Sequence, residues 1–183
     1  MKLTAKIRLA LNHLRTGIIA HPTDTIYGLS CLANNQSAIQ TLADLKQRDI
    51  NKGFILLASD IGFLLPYIDP NLDIELLQKL TKPVDKPTTY LVPKSENVSS
   101  LITGDHKLLA VRVTSDPLIS YFCENTGSAL ISTSANTQGN EVARSILELR
   151  TYFGNKIDFA LPPNKYNSVP SRIINLLTGI RQR

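Results

Sequence analysis

The sequence predicts an α/β fold: one domain built on a twisted sheet of mixed parallel and antiparallel strands flanked by helices. Short apolar strands alternate with amphipathic helices along the chain. The alternation lacks the strict strand–helix–strand rhythm of a doubly wound parallel sheet, which is why a mixed sheet fits better. The 183 residues suffice for one full core and are too few for two. We therefore expect a single domain over residues 1–183, without a linker or an internal repeat.

Four elements are expected in the first third of the chain. The first is a helix whose apolar residues recur at helical spacing, at Leu3, Ile7, Leu11 and Leu14. Gly17 stands where the C-terminal cap of that helix belongs, and residues 18–20 follow as a short buried strand. Ser37 and Gln40 have the spacing of a capping box for a second helix, and residues 54–57 form the next strand.

The later elements follow from the same patterns. A third helix ends before Pro83, which cannot continue it, and its apolar residues are Leu72, Leu76, Leu77 and Leu80. Asp116 before Pro117 is the arrangement favoured at a helix start, and Ser145 with Glu148 predicts a capping box for a helix that ends near Gly154. Further strands are predicted at 89–92, 108–113, 129–131, 157–161 and 172–176.

The composition excludes several classes of protein. Hydrophobic residues make up 43% and charged residues 19%, which is ordinary for a globular domain, and no apolar run approaches the roughly 20 residues of a membrane span. The N-terminus has neither a continuous apolar stretch nor a small-residue cleavage site, so we expect no secretory signal. Cys31 and Cys123 give no disulfide framework. We expect a cytoplasmic protein that does not contact a membrane.

The net charge of +5 is concentrated near the C-terminus. Residues 144–183 contain seven basic and two acidic side chains, an excess equal to that of the whole chain. This asymmetry favours a polyanionic partner, either a nucleotide or RNA, and a solvated basic face is an equally ordinary explanation.

The motifs that are missing narrow the chemistry. The nine glycines form neither a G-x-x-x-x-G-K phosphate loop nor a G-x-G-x-x-G fingerprint. His13, His21 and His106 are scattered, and none has a partner at metal-ligand spacing. We therefore expect no protein-bound metal site, and any ATP chemistry must use side-chain cations.

Two polar segments could form such a site. Ser132-Thr133-Ser134-Ala135-Asn136 follows an apolar strand, and Lys46-Gln47-Arg48 follows the apolar stripe of the second helix. Lysine and arginine neutralise phosphate charge, while serine and asparagine fix oxygens in place. Joined in one cleft, the two segments would bind a nucleoside triphosphate. Apart, they would be a surface cation pair and a polar turn.

A third segment, residues 22–29 (P-T-D-T-I-Y-G-L), completes an ordered set that resembles the YrdC-like family in its short bacterial form. The resemblance continues through residues 110–113 (A-V-R-V) and closes on residues 170–174 (P-S-R-I-I) and Arg181. It implies one α/β domain whose sheet curls around a concave basic groove. Because the chain ends at Arg183, we do not expect the additional C-terminal domain of the family's longer form.

The resemblance also implies an enzyme, a nucleotidyltransferase. Its reaction joins L-threonine, bicarbonate or CO2, and ATP into L-threonylcarbamoyladenylate and diphosphate. A separate transferase complex then uses the product to make threonylcarbamoyladenosine in tRNA. ATP is a substrate that carries its own Mg2+. Such a phosphoryl transfer needs positioned cations and exclusion of water more than a strong nucleophile.

The family's motifs assign nucleotide-binding residues in this chain. The matching positions for ATP are Lys46, Arg48, Lys52, Ser134, Asn136, Arg144 and Arg181. Among them, Lys46 and Arg48 match the catalytic cations of the triphosphate, and Ser134 and Asn136 match groups that orient phosphates with their hydration or Mg2+. Arg144 would serve either phosphate or RNA.

The positions that match a threonine pocket are Thr25, Tyr27, Arg112, Ser132 and Ser171. Arg112 lies inside an otherwise apolar strand, where a charge is costly unless paired, so we expect a carboxylate beside it. That carboxylate belongs either to threonine or to an internal Asp or Glu. Tyr27 forms a wall of the pocket or belongs to the core.

One loop departs from the family pattern. Relatives carry W-P-G-P before the threonine-containing strand, whereas this chain has Val84-Asp85-Lys86-Pro87 and no tryptophan at all. The resemblance therefore does not extend to the conformation of this loop near the pocket.

Two other functions remain open at this point. The same fold could be a non-catalytic module that binds double-stranded RNA or tRNA, or a paralogue with a different amine substrate. Salt-dependent RNA binding would not separate the module from a basic enzyme, whereas threonine-dependent consumption of ATP would.

Overall fold

A computed structural model describes residues 4–47, 53–164 and 170–182. The α-helices are α1 (Ala5–Leu14), α2 (Gln36–Leu45), α3 (Ile74–Lys79), α4 (Ser100–Thr103), α5 (Pro117–Thr126) and α6 (Ile146–Phe153). The strands are β1 (Ile19–His21), β2 (Gly28–Leu32), β3 (Ile55–Ala58), β4 (Thr88–Pro93), β5 (Leu108–Val113), β6 (Leu130–Ser134), β7 (Phe159–Ala160) and β8 (Arg172–Asn175). Two 3-10 turns, Ile61–Phe63 and Leu65–Tyr67, lie between β3 and α3.

All eight of these strands join one sheet, in the order β7-β1-β2-β6-β3-β5-β4-β8. The pairs β7–β1, β3–β5 and β4–β8 are parallel, and the other four neighbouring pairs are antiparallel. The predicted mixed sheet is therefore confirmed. That the sheet encloses a concave basic groove stays a prediction, as does the single domain over residues 1–183.

Helix starts follow the predicted capping chemistry in two cases. The Asp116 carboxylate accepts from the backbone N–H of Leu118, with Pro117 as the first helical residue, and Ser145 Oγ accepts from the N–H of Glu148. Each side chain satisfies a donor that a helix start leaves unpaired. Both helices also end at a glycine with positive φ, Gly127 for α5 and Gly154 for α6.

The capping box predicted for α2 is wrong. The cap is Asn35, whose Oδ1 accepts from the N–H of Ala38 at 3.0 Å, and Ser37 lies inside the first turn. Both side chains can cap a helix. The helix starts at the earlier one because Ala38 and Ile39 thereby reach the core, where both are buried.

Gly17 is not the left-handed cap that its position suggested. Its φ is not positive, and α1 ends at Arg15. Glycine is required for close approach instead, because a Cβ there would lie 2.2 Å from Asp158 Oδ2. That carboxylate oxygen accepts from the N–H of Ile18 at 2.7 Å, which joins the start of β1 to the segment before β7.

The core is continuous and lines the central strands. Its fully buried large side chains come from α1, β1, β2, α2, β3, α4, β5 and α5 and from connecting segments, and they include Leu14, Ile19, Leu29, Leu42 and Phe122. Among the residues described, no helix is both long and apolar enough to cross a membrane.

Candidate active site

The pairing of the central strands brings the predicted site residues to one face of the sheet. Ser132 of β6 is paired with Ile55 of β3, and Leu57 of β3 is paired with Arg112 of β5. Paired residues project to the same side, and residues two apart on a strand share a face. Ser132 and Arg112 therefore lie on the same face of the sheet, on either side of Ile55 and Leu57.

A cavity of about 290 Å³ opens on this face. Its lining residues are Thr23, Thr25, Ile26, Gly28, Ile55, Leu57, Arg112, Ser132, Thr133, Ser134, Asn136, Val142, Pro170 and Ser171. Four of the five residues predicted for a threonine pocket belong to this set, together with Ser134 and Asn136 from the predicted nucleotide site. The volume suits a small amino acid.

Arg112 is the charged residue of the cavity wall. Its side chain is only 6% exposed, its Nη2 lies 2.5 Å from Asp24 Oδ2, and its Nη1 donates to Thr25 Oγ1 at 3.2 Å. The internal carboxylate that was one of the two expected partners is therefore present. Burial lowers the pKa of the guanidinium, and the charge of Asp24 opposes that shift.

The turn between β1 and β2 directs the hydroxyl of Thr25. Thr23 Oγ1 lies 2.7 Å from the carbonyl oxygen of Ile26, which can only accept, so the Thr23 proton is committed there. Thr25 Oγ1 lies 3.0 Å from Thr23 Oγ1, which also accepts from the backbone N–H groups of Thr25 and Ile26 at 3.1 Å. Because Arg112 donates to Thr25 Oγ1 as well, the turn and the guanidinium together fix this hydroxyl at the cavity wall.

Ser171 and Ser132 supply hydroxyls from the other sides of the cavity. Ser171 directly precedes β8, and its Oγ lies 2.8 Å from Oγ1 of the fully buried Thr89 on β4. Ser132 projects from the middle of β6. Three hydroxyls and one guanidinium thus converge on one small cavity, which is an arrangement that discriminates amino acids by their polar groups.

Lys46 joins the two predicted halves of the nucleotide site. It caps the C-terminal end of α2 and is buried, and its Nζ donates to the carbonyl oxygen of Ser134 at 2.7 Å and to Asn136 Oδ1 at 3.0 Å. It also donates to the carbonyl oxygen of Asn136. The same cation that was predicted to bind phosphate therefore holds the backbone of the S-T-S-A-N loop.

The loop itself is fixed by its own polar side chains. Ser134 Oγ donates to Asn136 Oδ1 at 2.6 Å, and Asn136 Nδ2 donates to the carbonyl oxygen of Asn140 at 2.7 Å. Asn140 belongs to the turn that follows the loop, and its Nδ2 donates to Thr137 Oγ1. The loop is consequently shaped before any ligand arrives.

Tyr27 requires a correction. It is fully buried, and its hydroxyl donates to the carbonyl oxygen of Leu161 at 2.6 Å, so it is a core residue and does not line the cavity. Motif similarity assigns it to the threonine pocket, with a place in the core as the alternative, and the structure shows the alternative. Tyr27 directly precedes β2, and its side chain turns to the buried interior.

Arg144 and Arg181, two further residues predicted for the nucleotide site, make their contacts elsewhere. Arg144 is exposed and forms an ion pair with Glu141 at 2.6 Å, and the exposed Arg181 bridges to Ile174. Neither lines the cavity. Arg48 and Lys52 lie outside the described residues, so their assignments stay predictions. In the described part of the chain, no group of three or more His, Cys, Asp and Glu side chains could hold a metal ion.

A second cavity of about 500 Å³ adjoins the first and shares Ile55 with it. Leu91, Ala110 and Ile173 give it an apolar floor. Lys107 and Gln182 lie among its polar residues, and Gln182 is the neighbour of Arg181. Both cavities lie on the same face of the sheet, because Ala110 and Arg112 are two residues apart on β5.

Sequence reasoning missed two residues that shape the site. Asp24 was read as part of a motif without a role, although it is the counterion of Arg112. Thr89 was treated only as a strand residue, although it fixes Ser171. A polar residue within a predicted buried strand was the available signal for Thr89, and the need of Arg112 for a carboxylate was the signal for Asp24.

Comparison with known proteins places these features in a family. Residues 13–182 match the family model Sua5/YciO/YrdC, which is described as telomere recombination. A threonylcarbamoyl-AMP synthase of Idiomarina loihiensis is 40% identical over an alignment of 171 positions, which covers 91% of this chain and 90% of the relative. Another, of Acinetobacter baumannii, is 37% identical over an alignment of 183 positions, which covers 97% of each chain.

Solved structures show the same fold. Sua5 of P. abyssi in complex with L-threonine is 25% identical and superposes with a TM-score of 0.83 over 96% of this chain. This chain spans about half of that protein, 52% of its length. YciO of E. coli, at 24% identity, superposes with a TM-score of 0.74 over 92% of this chain and 82% of its own.

Proposed function

The chain belongs to the Sua5/YciO/YrdC family, and we propose that it makes L-threonylcarbamoyladenylate and diphosphate from L-threonine, bicarbonate or CO2, and ATP. Two kinds of similarity support this. The relatives that are 37% and 40% identical over most of the chain are named threonylcarbamoyl-AMP synthases. In addition, the solved structure of the related Sua5 contains L-threonine. ATP and threonine are accordingly substrates, and no residue of the chain needs to act as a covalent nucleophile.

The observation that carries the proposal is the convergence of two binding surfaces on one cavity. Arg112 and the hydroxyls of Thr25, Ser132 and Ser171 offer partners for the carboxylate, amine and hydroxyl of threonine. Ser134 and Asn136 line the same cavity. Threonine bound there has its amine within reach of a phosphate held by the S-T-S-A-N loop.

The reaction then proceeds in two steps. The neutral amine of threonine attacks CO2 and releases a proton to give the carbamate, or it attacks the carbon of bicarbonate and the carbamate forms with loss of water. A carbamate oxygen next attacks the α-phosphorus of ATP in line; a new P–O bond forms while the bond to diphosphate breaks. Because the carbamate is labile in water, a small cavity that excludes solvent favours the second step.

We assign the triphosphate to Lys46, Arg48 and the S-T-S-A-N loop. Lys46 fixes the loop through three of its oxygens, so that Ser134 and Asn136 are preorganised for phosphate oxygens and for Mg2+ that arrives with ATP. Lys52, Arg144 and Arg181 are proposed as further nucleotide contacts. The second cavity, beside Arg181, has the volume and apolar floor for the adenosine.

The product serves the modification of tRNA to threonylcarbamoyladenosine, and a separate transferase complex consumes it. We propose a cytoplasmic location, where ATP and tRNA are both present. A module that only binds double-stranded RNA or tRNA is the disfavoured alternative, because the relatives that are 40% and 37% identical to this chain are named as synthases.

The test is release of diphosphate from ATP by the purified protein, with L-threonine and bicarbonate added singly and together. Release that requires both substrates is the expected result. An Arg112→Gln variant is the negative control, because it removes the positive charge proposed to bind the carboxylate of threonine, and we expect it to release no diphosphate. Absence of release, with salt-sensitive RNA binding retained, would support the binding module instead.

A further inference from the structure

Arg172, the first residue of β8, is bound by three hydrogen bonds to residues 85–88, which lead into β4 and include its first residue, Thr88. Its Nη2 donates to Asp85 Oδ1 at 2.7 Å, its Nε donates to Thr88 Oγ1 at 2.7 Å, and its backbone N–H donates to the carbonyl oxygen of Pro87 at 3.0 Å. In the parallel pairing of β4 with β8, Arg172 is the partner of Thr88. One side chain thus fixes the segment 85–88 against the start of β8.

Both ends of this connection adjoin Arg112. Ser171, directly before Arg172, lines the cavity proposed for threonine. Val84, Pro87 and Thr88 line another cavity of about 560 Å³, and Arg112 borders both cavities. Arg112 therefore separates the two cavities, with Ser171 beside the one proposed for threonine and the segment 84–88 beside the other.

The hydroxyl of Ser171 depends on the same register. Its partner, Thr89 Oγ1, follows the segment 85–88 directly, and the two oxygens are 2.8 Å apart. If the segment slid along β8, Thr89 would lose this contact and Ser171 would change its place in the cavity. A displacement of about 1 Å at a substrate contact is enough to weaken a reaction markedly.

We propose that Asp85 and Arg172 are a positioning pair, which fixes Ser171 and Thr89 in register with Arg112 and so sets the affinity for threonine. This inference rests on the proposed function. The pair lies where the chain departs from the W-P-G-P pattern, and it stabilises this loop by charge and hydrogen bonding in place of the missing tryptophan and glycine. Neither residue touches the substrate.

Because the pair is exposed to solvent, its effect on threonine binding can be measured separately from its effect on the free energy of unfolding. Asp85 is 71% exposed and Arg172 is 25% exposed. An ion pair this open to solvent contributes little to the free energy of unfolding and is weakened by salt. Loss of the pair should therefore alter the KM for threonine while the melting temperature barely changes.

The experiment measures kcat and the KM for threonine and for ATP in the full chain, together with the melting temperature, in about 50 mM and about 500 mM NaCl. The variants are Asp85→Asn, Arg172→Gln and their combination. Glu124→Gln is the control, since this exposed carboxylate has its partner, Ser120, on the same helix.

For each single variant we expect a KM for threonine about three- to tenfold higher, with kcat and the KM for ATP within about twofold of the wild type. The double variant should be no worse than Arg172→Gln, because the bond to Asp85 is already lost in that single variant. High salt should raise the KM for threonine of the wild type and of Glu124→Gln, and it should have less effect on the three pair variants.

Three outcomes would overturn the inference. The first is a KM for threonine that is unchanged in the pair variants while the wild-type protein is active. The second is a rise in the KM for ATP that equals the rise in the KM for threonine. The third is a large fall in both melting temperature and kcat, which would mean that the pair has a general structural role. A wild-type protein without threonine-dependent diphosphate release would instead refute the proposed function itself.

Discussion

The guanidinium of Arg112 lies 2.5 Å from the carboxylate of Asp24, although 88 positions separate them in the chain. The arginine belongs to β5 and its counterion to the turn between β1 and β2, so the charge of the cavity wall depends on the shape of that turn. Thr114 completes the arrangement, with its hydroxyl 2.9 Å from the same carboxylate oxygen. The site therefore contains its own carboxylate before a substrate carboxylate arrives.

Asp24→Asn should lower the free energy of unfolding by about 1–3 kcal/mol, because it leaves a buried guanidinium without its counterion. The loss is below that of a fully buried pair, since Asp24 is 35% exposed. Urea denaturation measures it, with the exposed Asp105→Asn as the control. In a double-mutant cycle with Arg112→Met, additive losses would contradict a direct coupling of the two residues.

Lys46→Met should abolish turnover and also destabilise the fold. Methionine keeps the aliphatic stem but removes the donor to three loop oxygens in a buried position, a loss of about 1–3 kcal/mol. Diphosphate release and thermal unfolding are the two measurements. If turnover disappeared with an unchanged melting temperature, the contacts between Lys46 and the loop would be of no consequence for folding, and phosphate binding alone would explain the residue.

Arg48→Ala should behave differently from Lys46→Met. A cation that follows the helix is not expected to stabilise the core, so we predict loss of diphosphate release with the melting temperature retained. Arg48→Lys is the informative control, because it keeps the charge but loses the fork of donors that suits phosphate. A fall of many degrees in Arg48→Ala would show instead that Arg48 is structural.

Tyr27→Phe tests the reassignment of this residue to the core. Removing the hydroxyl leaves the carbonyl of Leu161 without its donor at 2.6 Å, and we expect a loss of about 1 kcal/mol in the free energy of unfolding. The KM for threonine should be unchanged. Thr25→Val, which removes a hydroxyl that does line the cavity, is the comparison, and equal effects of the two variants on that KM would return Tyr27 to the pocket.

The sequence predicted the elements whose signals are local. Asp116 with Pro117, Ser145 as a helix cap and the apolar run 108–113 each lie within one element, and the structure confirms them. The second half of the capping box is absent, because Glu148 accepts from the backbone N–H of Arg144 instead of that of Ser145. The strand β2 was missed, because Gly28-Leu29-Ser30-Cys31-Leu32 alternates small polar residues with apolar ones and is buried throughout. Its pairing with both β1 and β6, which no local pattern reveals, stabilises it.

Contacts between segments that are distant in the chain also shape the site, and the sequence did not predict them. Motif similarity placed Thr25, Ser132 and Ser171 correctly at one cavity. Two contacts depend on distances across the sheet: the pairing of Asp24 with Arg112 and the binding of the loop by Lys46. A sequence contains these relationships only through the completed fold.

His21 predicts how stability depends on pH. It is fully buried, with Nδ1 2.8 Å from the carbonyl oxygen of Pro22 and Nε2 2.8 Å from Ser30 Oγ. The carbonyl can only accept, so the neutral ring carries its proton on Nδ1 and accepts from Ser30 at Nε2. Burial lowers the pKa of His21, and the bond to Pro22 and the charge of Asp116 oppose the shift only in part.

The unfolded chain, with an ordinary histidine pKa of about 6.5, therefore binds a proton more readily than the native state does. Stability is complete above that pH and falls as the pH drops below it, by at most about 1.4 kcal/mol per unit from this residue. Urea denaturation at several pH values between about 7.5 and 5.5 should show a shallower slope in His21→Gln than in the wild type. His106→Gln, an exposed histidine, should keep the wild-type slope. An unchanged slope in His21→Gln would mean that carboxylates alone cause the dependence, and that the neutral His21 bridge between Pro22 and Ser30 has no part in it.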